Sequence, residues 1–215
     1  PDIFLTMIGN VSEPSLPIPI EAYIPIKYID EGKMYNLNSQ YQTIKNEIDS
    51  SIQSVLDDSA FSSGKYVENF ENRFSDYIGS KYCIAVNNGT SALHAVLLAL
   101  DLKYGDEVLL PSFSFFATCE SVSLTGATPI FVDSDYQNFN LDLEDLESKI
   151  NGNTKAIICV HLYGQSCDMD KLKEITNKYN LQLIEDAAQA HGAEYMNKKI
   201  GTFGDFSCFS FYPTK

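Results

Sequence analysis

The chain has 215 residues, enough for one large or two small domains with a substantial core. Its composition is 44% apolar, with 13 Tyr and 13 Phe, which is typical of a folded protein and excludes general disorder. A formal net charge of −14 argues against a nucleic-acid partner, because binding one requires clustered Lys and Arg side chains. No apolar run approaches the roughly 20 residues that cross a bilayer, and the first residues lack signal-peptide features, so we expect a cytoplasmic protein.

Residues 1–33 differ from the rest of the sequence. Five of the eight prolines lie between Pro1 and Pro25, which predicts extended chain or loop. Because the chain begins on Pro, residue 1 is not expected to be a native start, and Met34 could be an initiator. Residues 1–33 would then be a leader or the end of an upstream module, although an N-terminal arm of the same domain explains them equally well. Residues 34–215 are expected to form the main domain.

Two helices are predicted in the first part of this domain. Apolar residues recur at helical spacing over residues 38–56 and again over residues 67–78. The second pattern stops at Gly79, a residue type that commonly ends helices.

After Gly79, short apolar strands alternate with helices. We predict strands at residues 82–86, 107–110, 129–132, 155–160, 181–184 and 206–211. We predict helices at residues 90–100, 116–124, 141–150 and 169–179, with Asn140 capping the third. This pattern indicates an α/β fold in which a mostly parallel central sheet is flanked by helices on both faces. Ligands of such sheets gather at the carboxyl ends of the strands.

The segment from Asn87 to Ser91 (N-N-G-T-S) follows a predicted strand and opens a predicted helix. Free backbone amides and two hydroxyls at a helix N-terminus favour phosphate binding. The alternative is an ordinary helix start that Thr90 or Ser91 caps.

Further polar and aromatic side chains follow other predicted strands. In the segment P-S-F-S-F-F-A-T, Phe115 could stack on a cofactor ring, and simple core packing is the alternative. A lone His161 or His191 is more often a packed, hydrogen-bonded residue than a catalyst. The five cysteines form no C-x-x-C motif, and no spacing of ligand residues suggests a disulfide framework or a metal site.

Two residues near the end of the sequence suit one cofactor. Asp186 ends an apolar strand, where an unpaired carboxylate is costly, and a cationic ring nitrogen would compensate it. A salt bridge to Arg or Lys is the alternative. Lys215 follows another apolar run, where a lysine is ordinarily solvated. An acid and an amine at two strand ends suit pyridoxal 5′-phosphate, which needs a Schiff-base lysine and an acidic partner for its ring nitrogen. Gln189 could reach the ring hydroxyl, and Ser210 could meet the phosphate.

Together these segments resemble the DegT/StrS family of pyridoxal-phosphate-dependent nucleotide-sugar aminotransferases, which have the aspartate aminotransferase fold. The motifs that carry the resemblance include N-N-G-T-S-A-L-H, V-H-L-Y-G-Q, I-E-D-A-A-Q-A-H-G and C-F-S-F-Y-P-T-K, in family order. The resemblance implies the large domain of that fold, which family members follow with a small C-terminal domain. It also implies that Lys215 is the Schiff-base lysine and Asp186 the partner of the ring nitrogen. The other cofactor contacts that it implies are Gln189 for the ring hydroxyl, Phe115 for stacking, and Gly89, Thr90 and Ser210 for the phosphate.

The activity implied by the resemblance is transfer of an amino group from glutamate to a nucleotide-linked keto-deoxysugar. The segment from Asp57 to Glu71 is most similar to members that aminate C3 of dTDP-3-keto-6-deoxyhexoses, and a homodimer is expected. One alternative is an inactive truncated fragment or a cofactor-binding regulatory module. Another is a dehydratase on the same scaffold, although in that branch of the family a histidine replaces the lysine.

Overall fold

The structure is a computed structural model that describes residues 36–215. Met34, the proline-rich segment and the expected boundary at residue 33 lie outside the described residues. The chain divides into two compact units, one reaching to Asn87 and including Phe211–Lys215, the other spanning Asn88–Ser210. Over residues 36–215, no helix is both long and apolar enough to cross a membrane.

The first unit contains two helices, α1 (Leu37–Asp57) and α2 (Lys65–Ile78). The Asn36 side chain caps α1 by accepting a hydrogen bond from the amide of Ser39 at 3.0 Å. Helix α2 ends at Gly79, whose φ of 87° is the left-handed conformation that glycine adopts most readily. Both predicted helices are therefore confirmed. On α2, Phe70 and Phe74 each pack edge-on against Phe211, with ring centroids 5.2 and 5.1 Å apart.

The strand predicted at residues 82–86 does not form among the described residues, and that prediction is wrong. Side-chain exposure still alternates along the segment, in which Tyr82 and Ile84 are 75% and 81% exposed. However, the amide of Ala85 donates to the carboxylate of Glu71 at 2.8 Å instead of to a neighbouring strand. A backbone group requires one partner, and here a side chain supplies it.

The second unit is built on a five-stranded parallel sheet with strand order β2-β1-β3-β4-β7. These strands are β1 (Glu107–Pro111), β2 (Thr128–Val132), β3 (Thr154–Val160), β4 (Gln182–Asp186) and β7 (Phe206–Cys208). A two-stranded antiparallel hairpin, β5 (Glu194–Tyr195) and β6 (Lys198–Lys199), lies between β4 and β7 in sequence. The helices are α3 (Gly89–Ala99), α4 (Phe116–Ser123), α5 (Leu143–Lys149) and α6 (Met169–Tyr179). The predicted α/β fold with a mostly parallel central sheet is confirmed.

Two apolar cores cover the two faces of this sheet. Successive side chains of a strand point to opposite faces, so Leu183 joins one core and Ile184 the other. The Leu183 core includes Leu146 of α5 and Leu172 of α6. The Ile184 core includes Leu97 of α3 and Val122 of α4. Burial on both faces explains why the strands are almost continuously apolar.

The structure corrects two predicted boundaries. Helix α5 begins at Leu143 with Asp142 as its cap, not at residue 141 with Asn140, because Asp142 accepts hydrogen bonds from the amides of Glu144 and Asp145. Asn140 is buried instead, and its side-chain amide donates to the carbonyl of Ser166 at 3.0 Å. The last strand, predicted at residues 206–211, ends earlier, at Cys208.

The cap of α5 provides a test of this correction. We predict that Asp142→Ala lowers the free energy of unfolding by about 1 kcal/mol, because two helix amides lose their acceptor. Urea denaturation of the chain measures this loss. Asp142→Asn keeps the acceptor and is the matched control, with an expected change of a few tenths of a kcal/mol. An equal loss in both variants would contradict this assignment of the cap.

Candidate functional site

Two consecutive carboxylates end β4 and point to opposite faces of the sheet. Glu185 is fully buried, and Asp186 is 5% exposed. The alternation of the strand places Glu185 on the side of α5 and α6 and Asp186 on the side of α3 and α4. Burying a carboxylate is costly unless donors surround it, so the contacts of each acid define its function.

Asp186 is held from two directions. The hydroxyl of Thr118, on α4, donates to Oδ2 at 2.8 Å, and the backbone amide of Ala188 donates to Oδ1 at 3.2 Å. The Asp186 carbonyl accepts the backbone amide of His161 at 3.1 Å. The carboxylate thus has a fixed plane at the carboxyl end of the sheet, where ligands of parallel sheets bind.

Phe115 lies next to the helix turn that holds Asp186. It immediately precedes α4, and its carbonyl accepts the amide of Thr118 at 3.1 Å. Its ring is 71% exposed, so the alternative of core packing is wrong. An exposed aromatic ring can stack on a planar ligand.

Gly89 and Ser210 approach each other closely. Helix α3 begins at Gly89, and Asn88 caps it by accepting the amide of Ser91 at 2.8 Å, so the alternative of a cap by Thr90 or Ser91 is wrong. A Cβ added to Gly89 would lie 3.0 Å from Ser210 Cβ and 3.4 Å from Ser210 Oγ. The structure therefore brings together two of the three predicted phosphate contacts, and Thr90 follows Gly89 in the first turn of α3.

The side-chain amide of Gln189 has a fixed orientation. Its Oε1 accepts the backbone amide of Tyr163 at 2.8 Å. Tyr163 adopts a φ of 54°, a left-handed conformation that is uncommon outside glycine. Because Oε1 is used as an acceptor, the NH₂ group of Gln189 is directed elsewhere as a donor.

The carboxylate of Glu185 accepts hydrogen bonds from a loop and from a histidine. Its Oε1 accepts the amides of Phe203 and Gly204 at 2.8 and 2.7 Å, and its Oε2 accepts the amide of Gly201 at 2.8 Å. His161 Nε2 lies 3.1 Å from Oε2, and His161 Nδ1 accepts the amide of Cys167 at 3.1 Å. His161 is therefore the packed, hydrogen-bonded residue that the sequence predicts.

These contacts keep Glu185 ionised inside the protein. Burial alone would raise the pKa of Glu185, but the hydrogen bonds from His161 and from the amides of Gly204 and Gly201 lower it below its ordinary value. Four donors, none of which is an Arg or Lys among residues 36–215, satisfy the buried charge of this carboxylate.

Six of the seven predicted cofactor residues belong to the second unit, whereas Lys215 belongs to the first. The amide of Lys215 donates to the carbonyl of Tyr212 at 2.8 Å. Sequence reasoning assigned no function to Thr118 or Glu185. The alternation of β4 could have separated the two acids, but no local pattern links Thr118 to a residue 68 positions away.

Residues 42–215 match the family model described as the DegT/DnrJ/EryC1/StrS aminotransferase family. Among curated proteins, GDP-perosamine synthase of Escherichia coli O157:H7 is 47% identical over 76% of this chain and 45% of its own length. The dTDP-3-amino-3,6-dideoxy-alpha-D-galactopyranose transaminase of Aneurinibacillus thermoaerophilus is 46% identical over 81% of this chain and 47% of its own length. The chain thus spans about half the length of the curated relatives that it matches.

The chain is also similar to solved structures. A DegT DnrJ EryC1 StrS aminotransferase from Brucella abortus superposes with a TM-score of 0.81 at 36% identity, over 84% of this chain and 50% of that one. A mutant of GDP-4-keto-6-deoxymannose-3-dehydratase with bound GDP-perosamine superposes with a TM-score of 0.70 at 36% identity, over 74% of this chain and 42% of that one.

The buried position of Glu185 generates a prediction. Glu185→Gln should lower the free energy of unfolding at pH 7 by about 3 kcal/mol or more, because an NH₂ group then faces backbone amide donors. The folded pKa of Glu185 lies below the unfolded one, so its stabilisation is present above about pH 4.3 and is lost as the pH falls through the folded pKa. Urea denaturation should therefore show the two proteins converging in acid.

Glu194→Gln is the matched control, because Glu194 is exposed on β5 and the same substitution there should change stability by less than about 0.5 kcal/mol. A stability difference between wild type and Glu185→Gln that stays constant from pH 7 into acid would contradict an ionised Glu185.

Proposed function

Because the chain belongs to the DegT/DnrJ/EryC1/StrS aminotransferase family, we propose that it is the cofactor-binding part of an enzyme that aminates a nucleotide-linked keto sugar. The family resemblance seen in the sequence motifs is confirmed, and the cofactor of this family is pyridoxal 5′-phosphate. That cofactor supplies an aldehyde that takes up an amino group and a ring that withdraws electrons from the reacting carbon. The single observation that carries the proposal is the buried, fixed carboxylate of Asp186 at the carboxyl end of β4.

In this proposal Asp186 binds the protonated ring nitrogen. An ionised carboxylate is only an acceptor, and each of its oxygens can accept more than one hydrogen bond. Thr118 and Ala188 each donate to one oxygen of the carboxylate, and the ring N–H would be a further donor to it. Inside the protein a cationic partner offsets the cost of burying the charge.

The phosphate would bind where Gly89 approaches Ser210. Helix α3 has 11 residues, and its first amides point away from the helix toward any anion at its N-terminus. Thr90 and Ser210 add hydroxyl donors, and Gly89 carries no Cβ that would obstruct the gap. This arrangement suits a protein with a net charge of −14, because backbone amides bind an anion without relying on the overall field.

Two further side chains would contact the cofactor ring. Gln189, whose Oε1 is held by Tyr163, would direct its NH₂ group to the ring hydroxyl oxygen. The exposed ring of Phe115 would stack on the cofactor ring.

Lys215 is the proposed catalytic base. By the family resemblance, its Nζ would hold the cofactor through the cofactor's aldehyde carbon. The same Nζ would be the group that moves a proton at the donor's α-carbon. Asp186 would hold the proton on the ring nitrogen.

The proposed amino donor is glutamate, and the proposed acceptor is a dTDP-3-keto-6-deoxyhexose. The name of the Aneurinibacillus relative, a dTDP-3-amino-sugar transaminase, supports this choice of nucleotide and carbon. GDP-perosamine synthase, at similar identity, favours a GDP-linked sugar as the competing substrate. A homodimer and a cytoplasmic location stay predictions.

Two alternative functions can be distinguished from this one. The similarity to a dehydratase of the same scaffold supports a dehydration reaction, against which the presence of Lys215 argues. A module that binds the cofactor without transferring an amino group is the non-enzymatic alternative.

Gly89→Ala tests the proposed phosphate position. The added Cβ would force Ser210 to shift by a few tenths of an ångström, so we expect the affinity for pyridoxal phosphate to fall about tenfold, the equivalent of one lost hydrogen bond. Absorbance titration measures this affinity. Gly152→Ala is the control, since a Cβ there has no atom within 4 Å. Unchanged affinity in Gly89→Ala would contradict the proposed position.

Borohydride trapping tests Lys215. We expect the chain to develop a cofactor absorbance band that borohydride converts into a stable adduct, which peptide mass spectrometry places on Lys215. Lys215→Ala should abolish the adduct, whereas Lys198→Ala should retain it. Addition of glutamate should convert the bound cofactor to its amine form with release of 2-oxoglutarate. An adduct on Lys215 without that conversion would support the binding module, and an adduct on another lysine would sink the assignment.

A further inference from the structure

The hydroxyl of Thr118 is a buried contact of the proposed site that comes from a helix distant in sequence. Thr118 is 1% exposed, and its Oγ1 lies 2.8 Å from Asp186 Oδ2. The two residues are separated by 68 positions in sequence and belong to α4 and β4. Burying a hydroxyl is costly unless it is hydrogen-bonded, and the contact with Asp186 provides that hydrogen bond.

The direction of the hydrogen bonds follows from their chemistry. An ionised Asp186 can only accept, so the single O–H of Thr118 donates to it. Ser114 Oγ lies 3.4 Å from Thr118 Oγ1, and Ser114 must be the donor there because the hydrogen of Thr118 is already used. A chain of hydroxyls thus runs from Ser114, the residue before Phe115, through Thr118 to Asp186.

This chain fixes a torsion that is otherwise soft. The terminal torsion of an aspartate is broad, so one donor leaves the carboxylate plane free to rotate. Thr118 holds Oδ2 while the amide of Ala188 holds Oδ1, and together they define that plane. The hydrogen bond between Thr118 and Asp186 also connects the turn of α4 that follows Phe115 to the end of β4.

We propose that Thr118 is a positioning residue of the cofactor site, which orients the Asp186 carboxylate toward the ring nitrogen and holds the Phe115 turn beside it. The inference rests on the proposed function, because it assumes that Asp186 binds that nitrogen.

The test compares two substitutions at Thr118. Thr118→Val keeps the shape and removes only the hydroxyl, whereas Thr118→Ser keeps the hydroxyl. Absorbance titration with pyridoxal 5′-phosphate should show an affinity about tenfold or more lower in Thr118→Val, as expected for a lost hydrogen bond to a charged group. Thr118→Ser should restore most of it, and Ser114→Ala should have a smaller effect because its contact is long.

Thr176→Val is the matched control. Thr176 is also a buried threonine, 3% exposed, but its hydroxyl bonds to the carbonyl of Lys173 within α6, on the other face of the sheet. We expect no change in cofactor affinity in this variant. The absorbance maximum of the bound cofactor, which responds to ring protonation, should shift in Thr118→Val and not in Thr176→Val.

Each outcome decides between the two claims. If wild type binds the cofactor and Thr118→Val binds it equally well with an unchanged spectrum, the positioning inference fails and the proposed function stands. Equal losses in Thr118→Val and Thr176→Val would show a merely structural effect and would also overturn the inference. If wild type binds no cofactor, the proposed function fails and the inference fails with it.

Discussion

Strand β4 ends in two consecutive carboxylates, and the rest of the second unit depends on how each of them is compensated. The pleat of the strand separates Glu185 and Asp186 by half a turn, so they face different layers of helices. Glu185 is fully buried and has four donors of its own, three of them backbone amides. Asp186 accepts hydrogen bonds from Thr118 and Ala188 and lies at the edge where ligands of parallel sheets bind. One acid is therefore part of the scaffold, and we propose that the other serves the cofactor.

The scaffold acid supports the proposed site indirectly. Glu185 fixes the loop from Gly201 to Gly204, which leads directly into β7 and from there to Ser210. Through His161 it also fixes the loop in which Tyr163 holds Gln189. A cofactor site requires rigid elements to carry the residues that contact the cofactor, because small misplacements of the ring or the phosphate reduce the reaction rate strongly. A substitution at Glu185 would thus disturb several proposed contacts without touching the cofactor.

The sequence predicts the regular part of this fold well and the long-range part poorly. Helix α6 forms over the predicted residues because Asp168 caps its start and Asn180 ends it in a left-handed conformation. The strand predicted at residues 82–86 failed because alternation shows only which side chains share a face, and a strand also needs a neighbour. One short motif was enough to predict Asp186 and Gln189 as cofactor contacts. It could not predict the contact of Thr118 with Asp186, which depends on tertiary packing that brings α4 onto the end of β4.

The central claim is that Asp186 keeps the ring nitrogen of a bound cofactor protonated. The most direct measurement is the ¹⁵N NMR spectrum of pyridoxal 5′-phosphate labelled at the ring nitrogen and bound to this chain. We predict the chemical shift of a protonated pyridinium in wild type, and that of a neutral pyridine in Asp186→Asn at the same pH. A neutral pyridine in wild type, or an identical pyridinium signal in both proteins, would contradict the claim.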